Sequence, residues 1–150
     1  MSDSKHFMMG EFKAELPDDR LYSKRHLWLK PVAEHRYQVG LTAYSVRLLQ
    51  DVYFLAWNVD EGAVVQDRQE IGEVESSKAV SALFTPCAGK LTAFNQAVLN
   101  DPSAINADSY GAGWLYEFET PEPLLNADEY QQLLVDVWET TQRTIKGQMN

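Results

Sequence analysis

A lysine within a run of small residues is the side chain best suited to carry chemistry in this sequence. Lys78 lies in the run Glu75-Ser76-Ser77-Lys78-Ala79, between two stretches of strand-like composition. Small polar residues favour a tight turn, which would hold the lysine amine at a hairpin tip within reach of a modifying enzyme. A lysine in a turn is far more often a solvated charge, so this run alone does not decide between the two interpretations.

The other potentially reactive side chains have simpler explanations. Cys87 is the only cysteine, which excludes an internal disulfide and a cysteine-built zinc site, and a small thiol of this kind is usually a packing residue. A thiol enzyme pairing Cys87 with His26 or His35 lacks recognisable spacing, and the histidines lack the spacing of metal ligands. Glu73 and Glu75 are explained by the exposed face of a strand.

Short strand-like segments separated by turns make up most of the chain. Alternating or continuous apolar runs predict strands near residues 26–30, 37–41, 52–57, 63–65, 71–75, 80–84, 90–94 and 114–118. The 52–57 run is typical of a buried strand, and the turn after residue 84 is predicted to return the chain into the sheet of the lysine hairpin. Strands at this spacing predict an antiparallel sandwich or barrel.

Helix signals are fewer. Thr42 is placed to cap a short helix, a helical turn is predicted near residues 102–105, and Asn126 with Glu129 forms a capping box before a C-terminal helix that Gly147 would end. We therefore expect a flexible N-terminal arm over residues 1–16, one domain over 17–146 that includes the C-terminal helix, and a tail over 147–150.

Composition excludes several classes of partner. The 150 residues carry a formal net charge of −9, which disfavours binding to nucleic-acid phosphates and to anionic membranes. The sequence has no apolar run long enough to span a bilayer and no apolar segment of the signal-peptide type at its start. The expected location is the cytoplasm.

Further motifs flank the lysine in a fixed order. Gly40-Leu41-Thr42 and Asp51-Val52-Tyr53-Phe54-Leu55 precede it, whereas Pro86-Cys87-Ala88-Gly89 and Tyr110-Gly111-Ala112-Gly113-Trp114 follow it. Together with the run around Lys78, these motifs resemble the glycine-cleavage H-protein family, a branch of the lipoyl and biotinyl carriers. The resemblance extends from about residue 21 to residue 134.

The resemblance implies a mainly β fold, a barrel-sandwich hybrid with short helices and a C-terminal helix. It implies a non-catalytic carrier with lipoate joined to the Lys78 amine as an amide. Biotin carriers place methionine on both sides of the lysine, and lipoyl domains of 2-oxoacid dehydrogenases place aspartate before it, so Ser77 and Ala79 favour the H-protein branch. The implied partners are a lipoate–protein ligase or lipoyl transferase, the oxidoreductases of a multienzyme system and dihydrolipoamide dehydrogenase.

The sequence departs from the family in the region where the lipoyl-lysine side chain, here called the lipoyl arm, is expected to rest with the group that it carries. The family's His-Glu-Trp is His26-Leu27-Trp28 here, the aspartate after Ser81 is Ala82, and Arg25 adds a cation. A leucine cannot accept a hydrogen bond from an ammonium group or balance its charge. The residues assigned to the arm's environment or to ligase recognition are Arg25, His26, Leu27, Glu75 and Ser81.

These departures favour a neutral or anionic group over methylamine as the load, that is, the group that the lipoyl arm carries. They resemble the single-domain lipoate-binding proteins of heterodisulfide-reductase-like sulfur oxidation, which we take as the first interpretation. The alternative is an H protein that carries the aminomethyl group in glycine decarboxylation. A second alternative is a binding or regulatory module that kept the fold without the cofactor.

Overall fold

The computed structural model describes residues 5–149, with side chains described as far as residue 142. Period-two alternation of buried and exposed residues shapes its strands, which contain more residues than its helices. The strands are β1 (Lys5–Met9), β2 (Phe12–Leu16), β3 (Leu21–Tyr22), β4 (Leu27–Ala33), β5 (Arg36–Leu41), β6 (Val52–Trp57), β7 (Val64–Val65), β8 (Glu70–Ser76), β9 (Val80–Phe84), β10 (Gly89–Phe94) and β11 (Tyr116–Glu119). The helices are α1 (Ala43–Leu49), α2 (Gln96–Asn100), α3 (Ala104–Ala107) and α4 (Ala127–Met149).

Two antiparallel sheets form the body of the domain. One has the order β3-β4-β5-β11-β10-β7 and the other the order β6-β8-β9. Their inward-facing side chains meet in a single apolar core, which includes Leu29 and Phe118 from the larger sheet and Leu55 and Val74 from the smaller one. The mainly β barrel-sandwich prediction is therefore confirmed.

A second core joins the N-terminal residues to the long C-terminal helix. Strands β1 and β2 pair as an antiparallel hairpin, and its inward-facing residues pack against α1 and α4. Those residues are Phe7, Met9, Ala14 and Leu16. Residues 5–16 thus do not form the predicted flexible arm, because this apolar face is buried against Tyr44, Tyr130 and Leu134.

The capping box before helix α4 has the predicted geometry. The Asn126 backbone N–H donates to Glu129 Oε1 at 2.9 Å, and the Glu129 N–H donates to Asn126 Oδ1 at 2.8 Å. The helix does not end at Gly147 but continues to Met149, since a single glycine lowers helix stability without breaking the hydrogen-bond ladder. The predicted tail over 147–150 is therefore helical as far as the structure describes it.

One local prediction about the chain path is also wrong. The turn at Pro86–Gly89 does not return the chain to the sheet of β8 and β9, because β10 pairs with β7 and β11 in the larger sheet. Helix α2 was not predicted. The helical turn expected at 102–105 is present, because the Ile105 N–H donates to the Pro102 carbonyl at 3.0 Å, and it leads into helix α3 at Ala104–Ala107. Asn95 caps α2 by accepting the Ala97 N–H, a signal visible in the sequence. No helix within residues 5–149 is long and apolar enough to cross a membrane.

Candidate lipoyl attachment site

Lys78 lies at the tip of the hairpin between β8 and β9, as predicted. Glu75 pairs with Val80, and the Ser76 N–H donates to the Ala79 carbonyl at 2.9 Å. The buried Ser76 hydroxyl accepts the backbone N–H of Lys78 at 3.3 Å and of Ala79 at 3.2 Å. These three backbone N–H groups of the turn are thus hydrogen-bonded to other groups of the same run. The Lys78 side chain is exposed.

The hairpin tip is also tied to the body of the domain. The Ser77 N–H donates to the Asp51 carbonyl at 2.9 Å, and the Asp51 N–H donates to the Ser77 hydroxyl at 3.2 Å. Asp51 lies in the connection between α1 and β6, and Asn106 holds this connection in place. The Asn106 side chain accepts the Val52 N–H and donates to the Gln50 carbonyl. The tip is therefore a braced turn that presents an exposed lysine.

An apolar groove of about 200 Å³ lies along β9 next to this hairpin. Its lining brings together Arg25, Leu27, Ser81 and Ala82, residues that are far apart in the sequence. Helix α1 and neighbouring strands supply the remaining walls with Leu41, Ser45, Leu48, Leu49, Val74, Leu83 and Phe84. No carboxylate is among these residues, so the groove offers one cation and apolar surface to a group on the Lys78 side chain.

His26 does not belong to this groove. Its ring lies in the second core, where Nδ1 is 2.9 Å from the Tyr130 hydroxyl and the ring packs against Tyr44. The positive φ of 65° at His26 accompanies this inward position, although its neighbours Arg25 and Leu27 line the groove. Burial disfavours the charged imidazolium and lowers the pKa of His26 to about 4.

We expect the half-buried His26 to make stability depend on pH between about 4 and 6.5. Below its unfolded pKa of 6.5 the unfolded chain binds a proton that the folded chain excludes until pH falls to about 4, so stability decreases as pH falls through this window. The loss between pH 7 and pH 5 should be about 2 kcal/mol. Urea unfolding at the two pH values measures it.

The matched variant is His26→Gln, which should remove most of this pH dependence while keeping a polar side chain. An equal loss of stability between pH 7 and pH 5 in wild type and variant would show that other groups cause the effect.

Glu75 lies on the opposite, outer face of the small sheet. It stands between Phe54 and Val80 in one cross-strand row, beside the base of the lysine hairpin. The prediction that 52–57 is a buried strand is thus only half correct, because Tyr53 is 62% exposed and Phe54 42%. These exposed aromatic side chains were missed because a continuous apolar run does not reveal a bulge, and the bulge between Val52 and Phe54 shifts the register here.

Cys87 has the properties of a packing residue. Its half-buried thiol donates to the Thr120 hydroxyl at 3.4 Å. Burial raises the pKa of this thiol, which disfavours the thiolate that a nucleophile requires. Among the residues whose side chains are described, no group of three or more His, Cys, Asp or Glu is placed to hold a metal ion.

Comparison with known proteins identifies the family. The profile described as glycine cleavage H-protein matches residues 20–145, which is most of the chain. The chain belongs to the glycine cleavage H-protein family. Proteins of this family carry a lipoate attached covalently to a lysine, and they are carriers that serve the enzymes of a multienzyme system rather than enzymes themselves.

Individual relatives agree with this assignment. The chain is 36% identical over 130 residues to the glycine cleavage system H protein of Nocardia farcinica, covering 81% of this chain and 98% of the relative. It is 39% identical over 123 residues to that of Bifidobacterium longum, covering 80% and 88%. The crystal structure of an H protein from Mycobacterium marinum superposes with a TM-score of 0.68 at 37% identity, covering 78% of this chain and 97% of that chain.

The residues present fit the family's cofactor. An amide bond to lipoate needs an accessible lysine amine, and Lys78 supplies one in the predicted motif. The apolar groove beside the hairpin suits the hydrocarbon part of such an arm. The N-terminal hairpin over residues 5–16 lies before the matched region, which begins at residue 20, so this second core includes a segment outside the family match.

Proposed function

We propose that this chain is the lipoyl carrier of a glycine cleavage system, with lipoate attached to Lys78. The observation that supports the proposal most strongly is an exposed lysine on a braced hairpin tip in a chain of the H-protein family. When bound, lipoate supplies a dithiolane for redox and thiol chemistry that the protein's own side chains lack. The chain would carry an aminomethyl group between the active sites of the other components.

The residues of the chain position the attachment point of the lipoyl arm and do not themselves make or break bonds of the carried group. The Ser76 hydroxyl and the Ser77–Asp51 pair hold the backbone of the tip, so the attachment point is fixed while the lysine side chain remains free. A tethered reactant meets each partner's active site at a high effective concentration, which replaces a bimolecular encounter with an intramolecular one. The exposed Tyr53, Phe54 and Val80 offer apolar contacts beside the arm to any docking partner.

The experiment that tests the function is reconstitution with glycine decarboxylase. Lipoylated protein, decarboxylase, glycine and labelled bicarbonate should give glycine-dependent exchange of the glycine carboxyl group, at rates comparable to those with an H protein of known activity. A fully lipoylated chain that supports no exchange above background would overturn the assignment to glycine cleavage.

One observation favours the second candidate, a neutral or anionic load in heterodisulfide-reductase-like sulfur oxidation. Among the described residues that line the groove beside Lys78 there is one cation, Arg25, and no carboxylate. A like charge without a compensating acid disfavours a protonated amine there. The relatives, however, are named glycine cleavage system H proteins, which supports the first candidate over the preference drawn from the sequence. The groove then holds an aminomethyl load less firmly than an acidic groove would.

Ala82→Asp is expected to lengthen the lifetime of the aminomethyl load by about two- to fivefold. The exposed Ala82 lines the groove, and a partly exposed ion pair contributes up to about 1 kcal/mol. The rate of ammonia release from isolated loaded protein measures this lifetime. Val64→Asp, at an exposed position outside the groove, is the control, and equal release rates in the two variants would contradict a role for the groove's charge.

A further inference from the structure

A larger cleft of about 780 Å³ adjoins the groove and shares Arg25 and Phe84 with it. Four connections form its walls, and their lining residues are Tyr22–Arg25, Asp67–Arg68, Phe84 with Pro86–Ala88, and Glu122–Leu125. Its size falls within the range of about 300–1,000 Å³ that is typical of small-molecule sites. The shared Arg25 and Phe84 place one end of the cleft at the groove beside Lys78.

The walls of this cleft are held in place by hydrogen bonds between its connections. Tyr22 and Leu125 exchange two backbone hydrogen bonds of 2.7 and 2.8 Å. The Thr85 N–H donates to the Gln69 carbonyl at 2.9 Å, and the Thr120 hydroxyl donates to the Ala88 carbonyl at 2.9 Å. The cleft is thus formed before any ligand enters, which lowers the entropic cost of binding.

Three cations are among the residues that line the cleft. Lys24, Arg25 and Arg68 line it, and none of them is within 4.0 Å of a carboxylate oxygen among the residues whose side chains are described. The Arg25 guanidinium lies 5.5 Å from the centre of the Phe84 ring. With Asp67 and Glu122 in the same lining, the cleft has one more cation than carboxylates, in a protein with a net charge of −9.

The cleft also contains two acidic residues, one of which, Asp67, directly precedes Arg68. Asp67 and Glu122 also line it, and both act electrostatically on Cys87. Arg25 and Phe84 are at the side shared with the groove. A ligand with a negative group near Arg25 would therefore meet an aromatic ring and proline and leucine side chains, supplied by Phe84, Pro86, Pro123 and Leu124.

We propose that this cleft is a binding site for a small organic anion with an apolar body, whose negative group is held by Arg25 and Arg68. Guanidinium groups favour carboxylate, phosphate and sulfonate oxygens, with which they form charge-assisted hydrogen bonds. The apolar walls hold the remainder of the ligand. The cleft lies beside the groove at Lys78, and Arg25 lines both.

The fluorescent probe 8-anilinonaphthalene-1-sulfonate tests this site because it combines an aromatic body with one anionic group. Binding to the full-length protein is expected to weaken with added salt. Arg68→Gln should weaken it about tenfold, equivalent to 1.4 kcal/mol, and Arg68 lines the cleft but not the groove. The uncharged analogue N-phenyl-1-naphthylamine should bind more weakly and respond little to Arg68→Gln.

Two further variants make the result decisive. Lys90→Gln removes a positive charge outside the cleft and should leave binding of the probe within about twofold of wild type. Arg68 has a φ of 70°, so Arg68→Gly removes the guanidinium without adding backbone strain and should reproduce the loss seen with glutamine. Equal probe binding by the Arg68 and Lys90 variants, or equal binding of the charged and uncharged probes, would overturn the proposal.

Discussion

Lys78→Arg is expected to keep its unmodified mass after incubation with lipoate–protein ligase, lipoate and ATP, whereas the wild-type protein gains one lipoyl group. Arginine preserves the positive charge at the hairpin tip, but its guanidinium stays protonated and offers no nucleophilic amine. The turn should be unaffected, because its hydrogen bonds use the Ser76 hydroxyl and backbone atoms. Intact-protein mass spectrometry measures the result directly.

Lys90→Arg is the matched control for this loss. Lys90 is exposed on strand β10, away from the hairpin, and its replacement should leave one lipoyl group per chain. A lipoyl increment on the Lys78→Arg protein would mean that another lysine is the attachment site. An unmodified wild-type protein in the presence of active ligase would favour the module that kept the fold without the cofactor.

Phe7→Ala is expected to lower the free energy of unfolding by about 3–5 kcal/mol, the usual loss for a large aromatic side chain in a core. Phe7 is only 9% exposed and makes edge-to-face contacts with Tyr44 and Trp138, at ring distances of 6.1 and 5.6 Å. Its removal would leave a cavity where the N-terminal hairpin meets α1 and α4. Chemical denaturation followed by tryptophan fluorescence measures the loss.

The neighbouring Met8 provides the control, because it lies on the same strand with 45% of its surface exposed. Met8→Ala should change stability by less than about 1 kcal/mol, as is usual for exposed positions. If Phe7→Ala lowered the free energy of unfolding no more than Met8→Ala, the hairpin would behave in solution as the flexible arm that its polar composition suggested. Lipoylation of Lys78 should be unchanged in both variants.

The sequence of the N-terminal hairpin contains a strand pattern that the prediction of a flexible arm overlooked. Apolar residues recur at every second position on both sides of Gly10, which has a φ of 65° at the turn. This is the usual pattern of a hairpin. The short strands are interrupted by charged residues on their exposed face, and the partner surface, on α1 and α4, is more than 25 residues away in sequence. Local composition therefore predicted an arm.

The strands of the central domain and the lysine hairpin were predictable because their signals are local. Thr42 caps α1 by accepting the Ser45 N–H, and the run around Lys78 forms the expected turn. The groove could not be derived in this way, because Leu27, Ser45 and Ala82 come from β4, α1 and β9 and meet only after folding. The inward position of His26 depends on a positive φ that the sequence does not indicate.

The bonds between Ser77 and Asp51 have a consequence for the kinetics of partner exchange. Because the tip is already ordered, docking need not freeze a mobile loop, and this spares the roughly 1–2 kcal/mol of conformational entropy that each backbone residue would lose. The search for each active site is then confined to the rotatable bonds beyond the Lys78 Cα. A carrier built in this way can bind each partner briefly and still deliver its group, which allows one chain to serve several enzymes in turn.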